Sequence, residues 1–221
     1  MHPSFPHAAL LAAALALGGA AHAAEPCDDV AASLAAMVSA DQAIRNRIDF
    51  LDQESPAQKK LSSFMTLVDR TNTERLKAIV ARCGWPVKEK FGQQPAGDAW
   101  LLAQHADHDP AFQKRALALI EEAAKARGES VDRNFAYLYD RVAVAEQRPQ
   151  RYGTQLYSPS GVACALEFKP MEDRAQVDAR RAALNLPPLE EYRRLVLDIT
   201  HCKAEAHAVP PVVVKEQAPK G

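Results

Sequence analysis

The sequence predicts a mainly α fold: a single compact helical domain with at most one short β-hairpin. Three observations predict it. Apolar residues recur at helical spacing through most of the chain. Proline, glycine or short polar clusters separate those stretches. Only one segment, near residues 156–166, has the look of extended chain, and no internal repeat or glycine-rich phosphate loop is present.

The ends are set apart by composition. Residues 1–23 read as a secretory signal peptide: Ala8 to Ala21 is almost wholly Ala, Leu and Gly, and Ala21-His22-Ala23 is a small-x-small cleavage site. That apolar run is too short for a spanning helix, so no transmembrane segment is expected after cleavage. The helical domain is expected over residues 24–205. Residues 206–221, which contain three prolines and no helical stripe, read as a disordered tail. A secreted or periplasmic location follows from the signal.

Within the domain, Asp28-Asp29 place acid at a helix start, and Val30, Leu34, Met37 and Val38 set its stripe. The pattern continues through Ile44, Ile48 and Leu51, with Arg45 and Asp49 spaced as a surface ion pair. Glu54-Ser55-Pro56 breaks it. A second helix runs from about Ala57 through Leu61, Phe64, Leu67 and Val68. Asp69 to Thr73 is polar and reads as helix interior or as a corner. Leu76, Ile79 and Val80 then form a stripe that ends at Cys83-Gly84, with Pro86 beyond. Trp85 and Trp100 are core anchors. Residues 87–98, with Gly92, Pro95 and Gly97, read as a connector.

The stretch Gln104-His105-Ala106-Asp107-His108-Asp109-Pro110 is a tight corner in which Asp109-Pro110 supplies N-cap and first turn of the next helix. That helix carries Phe112, Ala116, Leu119, Ile120 and Ala123 and ends near Gly128. Another is expected from about Asp132 to Glu146. Gln150-Arg151-Tyr152-Gly153-Thr154-Gln155 has no apolar period but is dense in hydrogen-bonding groups. Leu156-Tyr157 is the expected first strand, with Val162 to Leu166 its hairpin partner. Helices from Val177 to Leu184 and from Leu189 to about Cys202 complete the domain.

The chain has 28 acidic and 27 basic residues, a net charge of -1, which gives no support for a nucleic-acid partner. Cys27, Cys83, Cys164 and Cys202 form no Cys-x-x-Cys motif, which argues against a zinc knuckle. In an exported chain they favour disulfides. Three pairings are possible, and Cys27–Cys83 with Cys164–Cys202 is favoured because each would fasten one terminal portion.

Trp85-Pro86, the run from Trp100 to Gln113, Asn134-x-Ala136-Tyr137-Leu138-x-Asp140-Arg141, Gln150-x-Tyr152-Gly153-Thr154-Gln155 and Asp178-x-Arg180-Arg181 together resemble an uncharacterised bacterial domain family. The resemblance covers roughly residues 40 to 195. It implies membership and carries no activity, cofactor or catalytic role.

Two functional classes fit these residues. The first is a hydrolase-like enzyme with a His/Asp/Arg/Tyr pocket, its catalytic residues His105, Asp140 and Arg141. His105 suits general acid–base work because an imidazole titrates near neutrality. Gln104, Gln150, Arg151, Tyr152 and Gln155 are its substrate-binding candidates, Arg141 and Arg151 as holders of an anionic group. A metal-dependent version would use His105, His108 and Asp140 for a divalent ion such as zinc, iron or manganese. The spacing is not that of a His-Glu-x-x-His zinc protease. The second class is a non-catalytic exported binding or protein-interaction module. The partner is a small molecule or a protein whose identity the sequence leaves open.

Overall fold

Val30, Leu34 and Met37 are fully buried along one side of helix α1 (Val30–Arg45), in a computed structural model that describes residues 27–49, 52, 54–159, 164–200 and 202. That stripe seats α1 against α2 (Pro56–Cys83) and α4 (Gln93–Gln104). Short α3 (Lys88–Phe91) packs on α4, and α5 (Pro110–Ala126) with α6 (Arg133–Ala145) closes the bundle. Leu76, Ile79, Leu102, Phe112 and Leu138 meet α1 in one core, where each large apolar side chain contributes about 1.5–3 kcal/mol. Phe135, Ala136, Tyr152 and Leu186 make a second cluster beneath the C-terminal third. There, β1 (Leu156–Tyr157) and β2 (Glu167–Phe168) form a hairpin, followed by α7 (Arg174–Ala182) and α8 (Leu189–Ile199). Among the described residues the protein is thus a mainly helical, single compact domain with eight helices and one two-stranded sheet.

Helix ends follow local chemistry. The Ser55 hydroxyl accepts from the Gln58 amide with Pro56 at the first position, and Asp109 and Asp132 cap α5 and α6 through their carboxylates. Gly128, at φ 66°, ends the α5 region as expected.

Several expectations are corrected. Helix α1 stops at Arg45 rather than running on to Ile48 and Leu51, and residues 50 and 51 lie outside the described set. Asp69 to Thr73 is helix interior, so α2 is one unbroken helix. Residues 88–98 are helical apart from the break at Gly92, whose φ of 92° separates α3 from α4. Pro95 lies in the first turn of α4, where its missing N–H costs no helical bond. The second strand is Glu167–Phe168, with Leu156 opposite Phe168 and Tyr157 opposite Glu167; of the expected Val162 to Leu166, residues 162 and 163 lie outside the described set and 164–166 are not strand. Helix α7 begins three residues early, at Arg174.

Trp85 and Trp100 are partly buried against the main core, as expected. Cys27 is bonded to Cys83 and Cys164 to Cys202, the favoured pairing. The expected signal peptide (1–23) and tail (206–221) lie outside the described residues. Among those described, no helix is long and apolar enough to cross a membrane.

Candidate functional site

The α1 stripe Val30, Leu34, Met37 continues one turn later into a carboxylate, Asp41, whose side chain is 1% exposed. A buried carboxylate needs partners, and three converge on it. Arg45, one turn along α1, donates from Nε to Asp41 Oδ1 at 3.0 Å, and Gln42 Nε2 donates to Oδ2 at 2.7 Å. His105, the residue that ends α4, brings Nδ1 to 2.9 Å from Asp41 Oδ1. Arg45 also reaches α2, with Nη2 2.6 Å from Asp69 Oδ1 and Nη1 3.1 Å from Met65 Sδ. One ion-paired cluster therefore joins α1, α2 and the α4 end. His105 Nε2 keeps no protein partner among the described residues, and its side chain is 17% exposed.

The electrostatics of the two acids differ for a physical reason. Burial pushes the Asp41 carboxyl up, but the hydrogen bond and charge of His105, the charge of Arg45 and the Gln42 bond outweigh it. Its pKa falls from 3.8 to about 2. For Asp69 burial wins over the charge and hydrogen bond of Arg45, and its pKa is raised. Asp41 is the firmly ionised member.

Asp41, Asp69 and His105 offer two oxygens and a nitrogen within 4.8 Å of one another, a set that can hold a metal ion. It is the one such group of three among the described residues, so His105, His108 and Asp140 do not form one. Half-buried His108 sits at the corner, where its charge acts on Asp109. Asp109 caps α5, its Oδ1 accepting from Phe112 N at 2.9 Å, and its Oδ2 meets Lys77 Nζ at 3.1 Å. That backbone bond, with Lys77, lowers its pKa.

The other expected site residues gather in a different place. Asp140 is fully buried and accepts from the amides of Arg151, Tyr152 and Thr154 at 2.7, 3.0 and 2.9 Å. Burial raises its pKa against those three donors. Gln150, also fully buried, donates to the carbonyls of Gln155 and Lys169 and accepts from Gln155 N. Tyr152 packs edge-on against Tyr139, and Gln155 donates to the Thr154 hydroxyl. Arg151 is exposed, 3.9 Å from Glu172. The polar segment 150–155 is therefore fastened internally, which explains its density of hydrogen-bonding groups without a ligand.

Arg141 grips Asp107, with Nη1 2.8 and 2.7 Å from the two oxygens. Burial raises Asp107, but Arg141, Gln113 and His105 bring its pKa below the usual value. This pair lies beside His105 at the corner. Gln104 is buried and donates to the Tyr137 carbonyl at 3.5 Å.

Two of the concavities among the described residues stand out. One, of about 220 Å³, is lined by Trp85, Trp100, Ile120, Arg127 and Asn134. The other, of about 330 Å³, is lined by Val144, Arg148, Pro149, Tyr157 and Lys169. Neither includes His105, Asp140 or Arg141.

Sequence reasoning missed Asp41, Arg45 and Asp69 as site members. The usable signal was an acid on an otherwise apolar stripe: Val30, Leu34, Met37 and Asp41 share one helix face.

A family model described as "Family of unknown function (DUF6624)" matches residues 28–205, a wider span than the motifs. No curated protein and no solved structure matches.

Proposed function

The chain belongs to the DUF6624 family, and we propose from its own geometry that it is an exported, hydrolase-like enzyme whose acid–base atom is His105 Nε2. One observation carries this: His105 Nδ1 is 2.9 Å from buried, ionised Asp41, while Nε2 has no protein partner among the described residues and its side chain reaches solvent. A carboxylate on Nδ1 fixes the proton there and leaves the Nε2 lone pair to take a proton from water or a hydroxyl nucleophile. Arg45 helps keep Asp41 charged and ties it to Asp69. Arg141 acts as a positioning residue through Asp107, and Asp140 through the 150–155 loop together with Gln150, Tyr152 and Gln155. Gln104 and Arg151 remain candidates for substrate contact.

Export is supported by the signal-like residues 1–23 and by two disulfides, which persist in oxidising compartments. The mature domain would span residues 24–205, with 206–221 as its tail.

The test is turnover of p-nitrophenyl acetate and p-nitrophenyl phosphate by the mature protein. Activity on at least one is expected, falling by about 10²-fold or more in His105→Ala at unchanged circular dichroism. Retained activity in that variant, or none on either probe in the wild type, contradicts the proposal.

A metal-dependent version would place a divalent ion on Asp41, Asp69 and His105, whose oxygen and nitrogen donors suit zinc or manganese. Such an ion would have to displace the Arg45 guanidinium, which already joins both carboxylates. Metal analysis after zinc or manganese supplementation tests it: equal metal in wild type and His105→Ala excludes this site. The binding-module reading is favoured by one observation, that both concavities lie away from His105. It predicts ligand capture that His105→Ala leaves unchanged.

A further inference from the structure

The concavity of about 220 Å³ takes no part in the His105 reading. It lies where the Trp85 turn, α4, the end of α5 and the start of α6 meet. Gln93, Ala96, Gly97 and Trp100 line it from α4, at the i, i+3, i+4, i+7 spacing of one helix face. Ile120, Ala123, Ala124 and Arg127 line it with the same spacing, from α5 and the residue that ends it. The middle pair of each set is Ala-Gly or Ala-Ala, so the two helices leave room at a level that larger side chains would fill.

Gly97 is the informative member. It sits inside α4 and is not among the glycines at positive φ. Glycine within a helix is destabilising relative to alanine, and no turn requires it here. Close packing does not require it either, because a Cβ built at Gly97 meets nothing within 4 Å. Since Gly97 lines the cavity, a longer side chain there takes up its space.

Trp85 and Trp100 are the chain's two tryptophans, and both line this cavity while half-buried against the main core. Trp100 Nε1 donates to the Asn134 carbonyl at 2.8 Å, so its polar tip is satisfied and what it offers an occupant is ring surface. The charges around the cavity are balanced. Lys88 and Arg127 both reach Glu129, at 3.3 and 2.9 Å, and both reach Glu89, at 3.8 and 3.4 Å. The Asp132 carboxylate caps α6. Two cations matched to two acids call for no net charge on an occupant. The side-chain amides of half-buried Asn134 and of Gln93 make no hydrogen bond among the described residues, which leaves both to donate and accept.

We propose that this cavity binds a single neutral hexopyranose ring. The C–H bonds on one face of such a ring carry slight positive charge and suit the electron-rich face of an indole. Its hydroxyls, ranged along the ring edge, exchange hydrogen bonds with the Asn134 and Gln93 amides. The volume lies below the roughly 300–1,000 Å³ of sites for drug-sized ligands, which limits the occupant to about one ring. The site shares no residue with the Asp41–Asp69–His105 cluster, so it stands whether or not that cluster is catalytic.

Titration of the mature protein with D-glucose, D-galactose and N-acetyl-D-glucosamine tests it, read by tryptophan fluorescence because both emitting residues line the cavity. A saturable change is expected for at least one sugar, with a Kd of about 1 mM or tighter. Sorbitol, with its hydroxyls on an open chain, and cyclohexanol, a ring of the same size with one hydroxyl, should each bind about tenfold or more weakly than that sugar. Gly97→Leu keeps the helix and fills the space; it should weaken sugar binding about tenfold or more, with a thermal midpoint equal to or above that of wild type. Asn134→Ala removes the side-chain amide but keeps the carbonyl that holds Trp100, and should weaken binding about threefold or more. No saturable change with any of these sugars, cyclohexanol binding as tightly as the best of them, or wild-type sugar affinity in either variant overturns the proposal.

Discussion

Replacing Asp41 by Asn keeps its volume and removes its charge from beneath His105 and Arg45. The Asp41 carboxyl titrates at about 2 in the folded protein against 3.8 for an unperturbed one. At roughly 1.4 kcal/mol per tenfold, its interactions favour the charged form by about 2 kcal/mol. The side chain is 1% exposed, so solvent screening takes little from this figure. A depressed folded pKa makes the contribution complete above 3.8 and removes it as pH falls through about 2. Asp41→Asn should therefore be about 2 kcal/mol less stable than wild type at pH 6, with the gap closing between pH 4 and pH 2. Raised Asp69 works the other way on acidification; the Asp41 charge supplies only the smallest of the causes acting on it, after burial, Arg45 and His105, so the difference between the two proteins is carried mainly by Asp41. Urea unfolding followed by circular dichroism at each pH measures it. A variant as stable as wild type at pH 6, or a gap that persists undiminished at pH 2, refutes the electrostatic account of the cluster.

Three further outcomes test the frame around it. Gly153→Ala places a Cβ against the Leu189 side chain and 2.8 Å from Met171 Sδ at a φ of 66°, so left-handed strain and overpacking together should cost about 2–4 kcal/mol by thermal unfolding. Removing the Cys27–Cys83 bond, which joins residues 56 apart, with Cys27→Ser and Cys83→Ser should cost up to about 4 kcal/mol in the same assay. Asp109→Ala deletes the α5 cap and the Lys77 contact and should cost about 1 kcal/mol without changing activity. A larger loss of activity than of stability would give Asp109 a role at the site that its geometry does not.

What could be read from sequence was what local chemistry controls. Asp109-Pro110 announces the start of α5, and Gly128 marks its end, because caps and breakers act within a few residues. The unbroken α2 was harder, since Asp69 to Thr73 is polar and only tertiary contact turns it inward: Asn72 donates to the Met37 carbonyl of α1. Gly92, Pro95 and Gly97 make 87–98 read as a connector, although a first-turn proline such as Pro95 is harmless to α4.

The site divides in the same way. His105 was singled out correctly as a residue of the corner, but its acidic neighbour is Asp41, 64 positions earlier, rather than Asp140. No spacing rule reaches across three helices to pair them. Asp140 and the 150–155 segment carried the right signal, many hydrogen-bonding groups with no apolar period. They use those groups on one another, an outcome that composition alone does not distinguish from ligand binding. Arg181 reads in the sequence only as the neighbour of Arg180 in a short basic pair, and it is fully buried. The sequence spacing places Arg180 and Arg181 on different faces of α7, and only packing determines which face is inside.

The proposal's central geometric premise is that Asp41 holds the proton on His105 Nδ1 and leaves Nε2 free. Nitrogen-15 correlation spectra of the imidazole, recorded where the ring is neutral, read this tautomer directly. The Nδ1–H form is predicted for His105 in the wild type. A ring protonated on Nε2 in that neutral state would contradict it.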